Sequence, residues 1–320
     1  MFKTLKMATV SVVVATGMTL GGGAAFAADD YPSQAIQFIV PYSAGGGQDR
    51  WARVIASGGS EHLGQSINVE VRPGAGSTVG WAHLLSQPAD GYTMMIGSLS
   101  PQLSVLSEEL PVTHDDIAIV NIVSDFNVIL MSLPGSDWAD WDSMVAYAEA
   151  NPGALTIGGT VAQALAVAAV FDQAGLEGNV ITYPGTAAAV TDMLGGHIDM
   201  AVVTPASAIG LGDQAVSVAN LGARPNSDEM NAQLGGDVPW VGDMGYDGLP
   251  QPRWIGVHPD TPVEIIDKLD EGIRAILEAP STQSLIRALG EEVIYQDRAS
   301  AQAAYDRAGD TIRTYLPLLQ

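Results

Sequence analysis

The densest run of residues suited to handling a charged small molecule is Tyr42-Ser43-Ala44-Gly45-Gly46-Gly47-Gln48-Asp49. It lies between the apolar run Ile36–Pro41 and a helical pattern in which Trp51, Val54 and Ile55 share one face, with Asp49 placed to cap that helix. Glycines at such a junction expose backbone N–H groups and let a ligand approach closely, while the dipole of the following helix favours negative charge. This is chemistry for holding an anion without a lysine. Similar strand-to-helix turns recur at Gly158-Gly159-Thr160, leading into Val161-Ala162-Gln163, and at Tyr183-Pro184-Gly185-Thr186. Ser98 and Thr204 add hydroxyls at comparable junctions.

The patterns that would announce catalysis or a cofactor are missing from the chain. The five histidines are scattered without H-E-x-x-H or other metal-ligand spacing, and there is neither a G-x-S-x-G elbow nor a G-K-[ST] phosphate loop. Adjacent carboxylates at Glu108-Glu109 and Asp115-Asp116 point apart. Gly74-x-Gly76-x-x-x-Gly80 misses the dinucleotide spacing by one residue. With no cysteine, disulfides, thiolate metal sites and cysteine nucleophiles are excluded. No cofactor and no metal are expected.

The 320 residues suffice for two domains, and a hydrophobic content of 47% excludes a disordered chain. Lys+Arg 13 against Asp+Glu 36 gives a net charge of −23, a field that repels phosphate backbones and argues against nucleic-acid partners. Residues 1–28 read as an export signal: Lys3 and Lys6, an apolar stretch from Met7 to Leu20, and Ala25-Phe26-Ala27 as the cleavage site, with cutting near Ala27/Ala28. The apolar stretch is shorter than the roughly 20 residues that a membrane span needs. A periplasmic location follows.

From residue 36 onward, strands and helices alternate. The expected strands are 36–41, 67–71, 92–96, 117–123, 128–133, 155–157, 180–183, 198–203 and 292–295. Expected helices begin after Asp49 and near Val79, then cover 141–150, 161–174, 187–194, a short stretch after Pro205, 263–277, 281–289 and 299–316. Such alternation predicts an α/β chain of mainly parallel sheets flanked by helices.

Several segments together carry a family resemblance. They are Tyr31-Pro32, Ile39 through Arg53, Leu63-Gly64-Gln65, Arg72-Pro73-Gly74-Ala75-Gly76, Asp90-Gly91-Tyr92-Thr93, Asn151-Pro152-Gly153, Asp192 through Asp199, Trp254-Ile255-Gly256 and Pro259-Asp260-Thr261-Pro262. In this order they resemble the Bug-type receptors, the substrate-binding proteins of tripartite tricarboxylate transporters. The resemblance implies a two-lobed periplasmic binding protein fold with the ligand cleft between lobes. Lobe 1 would comprise 29–130 plus 250–320 and lobe 2 would comprise 131–249, with hinges near Leu130–Leu133 and Pro250–Trp254. It implies a small organic carboxylate as ligand, held by main-chain N–H groups of the first loop. It also implies membrane permease subunits as partners, a monomer, no catalysis, and Trp254 as a further ligand-binding residue.

Two departures bear on the ligand. Where the family often reads V-P-Y-K-G, this chain has Ile181-Thr182-Tyr183-Pro184-Gly185, without the lysine, and Val161-Ala162-Gln163-Ala164-Leu165 replaces a glycine- and serine-rich stretch leading to a histidine. Residues 131–249 hold 14 acids and a single base, Arg224. The expectation is a ligand with one obligatory carboxylate and a neutral or weakly polar distal end. The alternatives are an exported α/β hydrolase using Ser43 or Ser98, for which no His–Asp partner is identifiable, and a receptor serving another transporter class or a sensor kinase.

Overall fold

The computed structural model describes residues 30–107, 112–183 and 185–319. The export signal at 1–28 with its cleavage near Ala27/Ala28, the pair Glu108-Glu109 and the candidate ligand residue Pro184 fall outside the described residues.

Two five-stranded sheets form the frame. In the first, β2 (Ile67–Val71), β1 (Ile36–Val40), β3 (Thr93–Gly97), β10 (Pro252–Val257) and β4 (Ala118–Asp125) lie side by side in that order. The second runs β7 (Asn179–Thr182), β6 (Thr156–Gly159), β8 (Met200–Val203), β5 (Ile129–Ser132) and β9 (Val216–Asn220). β1 pairs parallel with β2 and β3, and β6 with β7 and β8. Each sheet has one reversed strand, β10 in the first and β5 in the second. Both reversed strands follow a crossing between the sheets, so the chain enters each sheet from the side where the two meet.

Helices cover both faces of each sheet, as the alternation predicts. On the first sheet, the inward stripe Ile265, Ile266, Leu269, Ile273 and Ile276 of α10 (Val263–Glu278) packs with Phe38, Val40, Trp51 and Ile55. On the opposite face, Ile39, Trp81, Met95 and Trp254 meet Ala301 and Tyr305 of α12 (Arg298–Tyr315). α6 (Val161–Ala174) buries residues around its whole circumference, Ala162 through Phe171, because it is enclosed on more than one side. It covers the second sheet and also meets Leu99 and Leu103 of α4 (Leu99–Ser107) and Ala308 and Ile312 of α12, joining the two lobes in one apolar cluster.

The sequence reading differs from the structure at β9, β10, α4 and the short helices α2 (Gly59–His62) and α9 (Asp228–Gln233), which it does not anticipate, and at residues 292–295. All six residues of β10 are buried, so it lacks the polar alternation that marks a strand with one wet face. The expected strand at 292–295 is not one: this segment lies along β4 through a single bridge, Ile122 to Gln296, with Ile294 N–H donating to Val123 O.

The first crossing is Phe126-Asn127-Val128, a few residues before the expected Leu130–Leu133, which the structure places largely within β5. The return crossing ends at Gln251, whose N–H donates to Asp125 Oδ1 at 2.8 Å. Arg224 of lobe 2 reaches back, with Nη2 donating to Asp125 O at 2.8 Å and Nη1 lying 3.3 Å from Glu292 Oε2. Burial pushes the Asp125 carboxyl up, and the Gln251 N–H and Arg224 only partly offset this. A carboxyl raised in the folded state contributes stability below its unfolded pKa, and that contribution is lost as pH rises through the folded value. Asp125→Asn keeps an acceptor for Gln251 without the desolvated charge. Chemical denaturation is therefore expected to show it more stable than the parent at pH 7, with the difference vanishing in acid. A less stable variant at pH 7 contradicts this account of Asp125.

Candidate functional site

The carboxyl ends of the parallel strands of both sheets open toward the same cleft, where open α/β sheets place their ligands. From β1 the chain turns through Ser43–Gly46 into α1 (Gly47–Ser57). From β3 it passes Ser98 into α4; from β6, Thr160 into α6; from β7, Gly185 into α7 (Thr186–Leu194); and from β8, Thr204 into α8 (Pro205–Leu211). These ends enclose a cavity of about 250 Å³. Lobe 1 contributes Tyr42, Gly47, Gln48, Arg50, Ser98, Arg253 and Glu291. Lobe 2 contributes Thr160, Ala162, Gln163, Thr186, Thr204, Pro205 and Ala206, and the crossings add Phe126 and Gln251. Hollows of about 560 and 490 Å³ lie elsewhere, the first lined by lobe 2 alone and the second by lobe 2 with Leu318.

The first loop is organised by Asp49. Gly45 adopts φ +78°, a left-handed conformation that suits glycine, and donates its N–H to Asp49 Oδ2 at 2.8 Å. Asp49 Oδ1 pairs with Arg53 Nε at 3.0 Å. Burial raises this carboxyl's pKa, but the Arg53 guanidinium and the Gly45 N–H together outweigh burial and hold it below the usual carboxylate range. The Gly46 N–H closes a turn to Ser43 O. The N–H groups of Gly45 and Gly46 are thus occupied, and Ser43, Ala44, Gly45, Gly46 and Asp49 shape the loop without lining the cavity. The donors left open at the cavity wall are the first-turn N–H groups of Gly47 and Gln48, where the helix dipole is positive. Behind them Tyr42 Oη and Ser98 Oγ lie 2.9 Å apart, and burial pushes the phenol up to about 12, so it stays protonated.

The lobe-2 wall is built from helix caps. Thr160 and Gln163 form a reciprocal capping box, and Gln163 Nε2 also donates to Thr186 Oγ1 at 3.0 Å, tying the starts of α6 and α7 together. Thr204 caps α8 through the Ser207 N–H. No ionisable side chain lines this wall among the described residues.

Several expected ligand residues sit elsewhere. Tyr183 donates its hydroxyl to Asp192 at 2.7 Å, and neither it nor Val161 or Gly185 lines the cavity. Trp254 is fully buried beneath Ser98, donating its indole N–H to Ser98 O at 3.2 Å and meeting Trp81 and Tyr305 edge-on. It supports the wall from behind.

Sequence reasoning missed Arg50, Phe126, Pro205, Ala206, Gln251, Arg253 and Glu291 among the lining residues, and Arg253 is the most deeply buried of the charged ones. Its side chain is 4% exposed, with Nε donating to Gln48 Oε1 at 2.6 Å and Nη1 donating to Ser124 Oγ at 2.7 Å and Glu291 Oε2 at 2.6 Å. The guanidinium lies 4.6 Å over the Trp51 ring and 5.1 Å from that of Phe126. A cation beside Trp254, within the expected second hinge, was the signal available in the sequence.

The sequence model of the tripartite tricarboxylate transporter family receptors matches residues 51–315. The chain belongs to this receptor family. Among its relatives, Protein BugT of Bordetella pertussis is 29% identical over 293 residues, spanning 89% of this chain and 88% of that one. A TctC solute-binding protein from Polaromonas superposes with a TM-score of 0.74 at 23% identity, covering 89% of this chain and 99% of that one. Two further proteins of the same fold are an R. palustris protein solved with adipate (TM-score 0.70, 22% identity, 88% and 98% covered) and MatC from Rhodopseudomonas palustris with bound malate (0.67, 19%, 88% and 100%). The family is one of receptors, not enzymes, and the fold is the two-lobed binding-protein fold expected from the sequence.

Proposed function

We propose that this receptor binds a small organic carboxylate in the cavity between its lobes and delivers it to the membrane subunits of a tripartite transporter. It works in the periplasm after residues 1–28 are removed. The observation that carries this reading is the convergence, on one wall, of two open N–H groups of α1 and the buried Arg253 guanidinium. Backbone dipoles and a guanidinium are the two standard partners of a carboxylate. Relatives of the same fold bound to malate and adipate support the ligand class. The neutral lobe-2 wall supports a distal end that needs no countercharge, since an unpaired buried carboxylate there is costly. In this reading lobe 1 extends to residue 126 and resumes at 250, and the lobes close about Phe126–Val128 and Leu249–Gln251, as hinged receptors do.

Gly47→Ala tests the reading. Gly47 is the first residue of α1, its φ is not in the left-handed region, and an added Cβ meets no protein atom closer than 3.8 Å. The fold should therefore be unchanged, while the methyl group occupies the space before the open donors. Calorimetric titration with mono- and dicarboxylates should give saturable binding to the parent and about a tenfold or greater loss in the variant, equivalent to about 1.4 kcal/mol. Undiminished affinity in Gly47→Ala places the ligand elsewhere. Scattering on the same samples should show a smaller radius of gyration with ligand, and an unchanged radius removes closure from the reading.

A further inference from the structure

The lobe-1 wall of the cavity holds an anion as well as a cation. Glu291, on the segment between α11 (Pro280–Ala288) and α12, accepts at Oε2 from Trp51 Nε1 at 2.8 Å and from Arg253 Nη1 at 2.6 Å. Its Oε1 has no hydrogen bond among the described residues, and neither has Arg253 Nη2. The two open atoms face one place. A Cβ built on Gly47 lies 3.8 Å from Nη2 and 3.9 Å from Oε1, and meets nothing else within 4 Å. Neither side chain is free to turn away: they are 4% and 14% exposed, and each is tied by a second partner.

This pairing matters for what the wall can select. A bare carboxylate set against Nη2 and the start of α1 brings its negative charge close to the open lone pairs of Glu291, and like charges at such range in a partly desolvated site repel. A donor on the carbon next to the carboxylate turns that repulsion into a hydrogen bond. The ligand then spans the wall, with its carboxylate on Arg253 and the α1 N–H groups and its donor on Glu291 Oε1. Without a donor, the ligand leaves Glu291 Oε1 desolvated and without a partner, and a missing partner of that kind is what lets a polar site reject an analogue.

We propose that Arg253 and Glu291 together select a carboxylate carrying a hydrogen-bond donor, hydroxyl or ammonium, on its α-carbon. The proposal rests on the reading of the cleft given above and goes further in assigning Glu291 the role of recognising the substituent. Lobe 2, whose wall is neutral, discriminates the remainder of the molecule by size and hydroxyl contacts.

The test is calorimetric titration of the receptor at pH 7 with matched sets of three- and four-carbon acids: the parent acid, both enantiomers of its 2-hydroxy derivative, and both enantiomers of its 2-amino derivative. In at least one set, a 2-substituted acid is expected to bind about tenfold or more tightly than its parent, equivalent to about 1.4 kcal/mol. The hydroxy and amino arms tell which donor is read. In Glu291→Gln the amide oxygen keeps Trp51 and Arg253 Nη1 while the amide NH2 takes the place of Oε1, where it can donate to a hydroxyl but offers an ammonium no acceptor, so a hydroxyl preference should persist and an ammonium preference should fall by about tenfold or more. Parent acids that bind as tightly as their derivatives overturn this inference and leave the carboxylate reading standing, as does an ammonium preference undiminished in Glu291→Gln. Binding of none of these acids overturns this inference, and binding that Gly47→Ala does not weaken overturns both.

Discussion

Arg253→Met is expected to abolish most ligand binding and to destabilise the protein by about 3–5 kcal/mol, because it removes one partner of a buried ion pair and leaves the other charge uncompensated. Glu291 keeps only the Trp51 indole N–H, while Gln48 Oε1 and Ser124 Oγ each lose a donor. Methionine preserves contact with the Trp51 and Phe126 rings, so little of the loss is packing. Adding Glu291→Gln to the same chain removes the stranded charge and keeps an acceptor for Trp51. The double variant is therefore expected to regain a large part of the stability while binding stays about 100-fold weak, a difference of about 2.7 kcal/mol. Chemical denaturation and calorimetry on the two variants separate these effects. If Arg253→Met binds as the parent does, the guanidinium is a structural strut and the α1 N–H groups hold the carboxylate alone.

Trp254→Ala is expected to cost about 3–5 kcal/mol, the usual range for deleting a buried tryptophan. The ring is fully buried between Trp81 and Tyr305, and the backbone of β3 runs so close that a Cβ on Gly97 would clash with the indole. Gly97 is thus required by close approach, and deleting the indole leaves a cavity between β3, β10 and α12. Since Trp254 does not line the ligand cavity, the main effect should appear in the unfolding midpoint. Affinity, measured where the variant is still folded, should change far less. A variant of parental stability that has lost its ligand would return Trp254 to the binding wall.

These two neighbours on β10 show where sequence reasoning held and where it stopped. Trp254 entered the expected site through family resemblance, and the structure turned it inward. Arg253, one position earlier, lies at no strand-to-helix turn of the kind that marks the other site residues in the sequence. Those turns lie at the carboxyl ends of parallel strands, whereas β10 runs in reverse and presents its first residues to the cleft. A strand buried on both faces also lacks alternation, and Pro252 and Gly256 further weaken its signature. The lobe-2 caps were legible at Thr160-x-x-Gln163, a capping box that depends only on residues three apart. The first loop was legible in kind but not in detail. Its glycines announce backbone donors, but which N–H groups remain open depends on the Asp49 carboxylate taking Gly45 and on Ser43 O taking Gly46.

The sequence by itself determined the alternation of strands and helices, the family, the position of the anion-binding turn and the scarcity of cations in lobe 2. All of these rest on local patterns or on composition: side-chain periodicity, glycine and cap residues at fixed offsets, and the count of charges. Only the tertiary structure decided that the cleft has a charged wall and a neutral one. Gln48 and Arg253 are 205 positions apart, and Trp51 and Glu291 are 240 apart. No local rule relates residues so distant. They meet because the return crossing brings β10 into the first sheet between β3 and β4, and because the segment after α11 then folds back over α1.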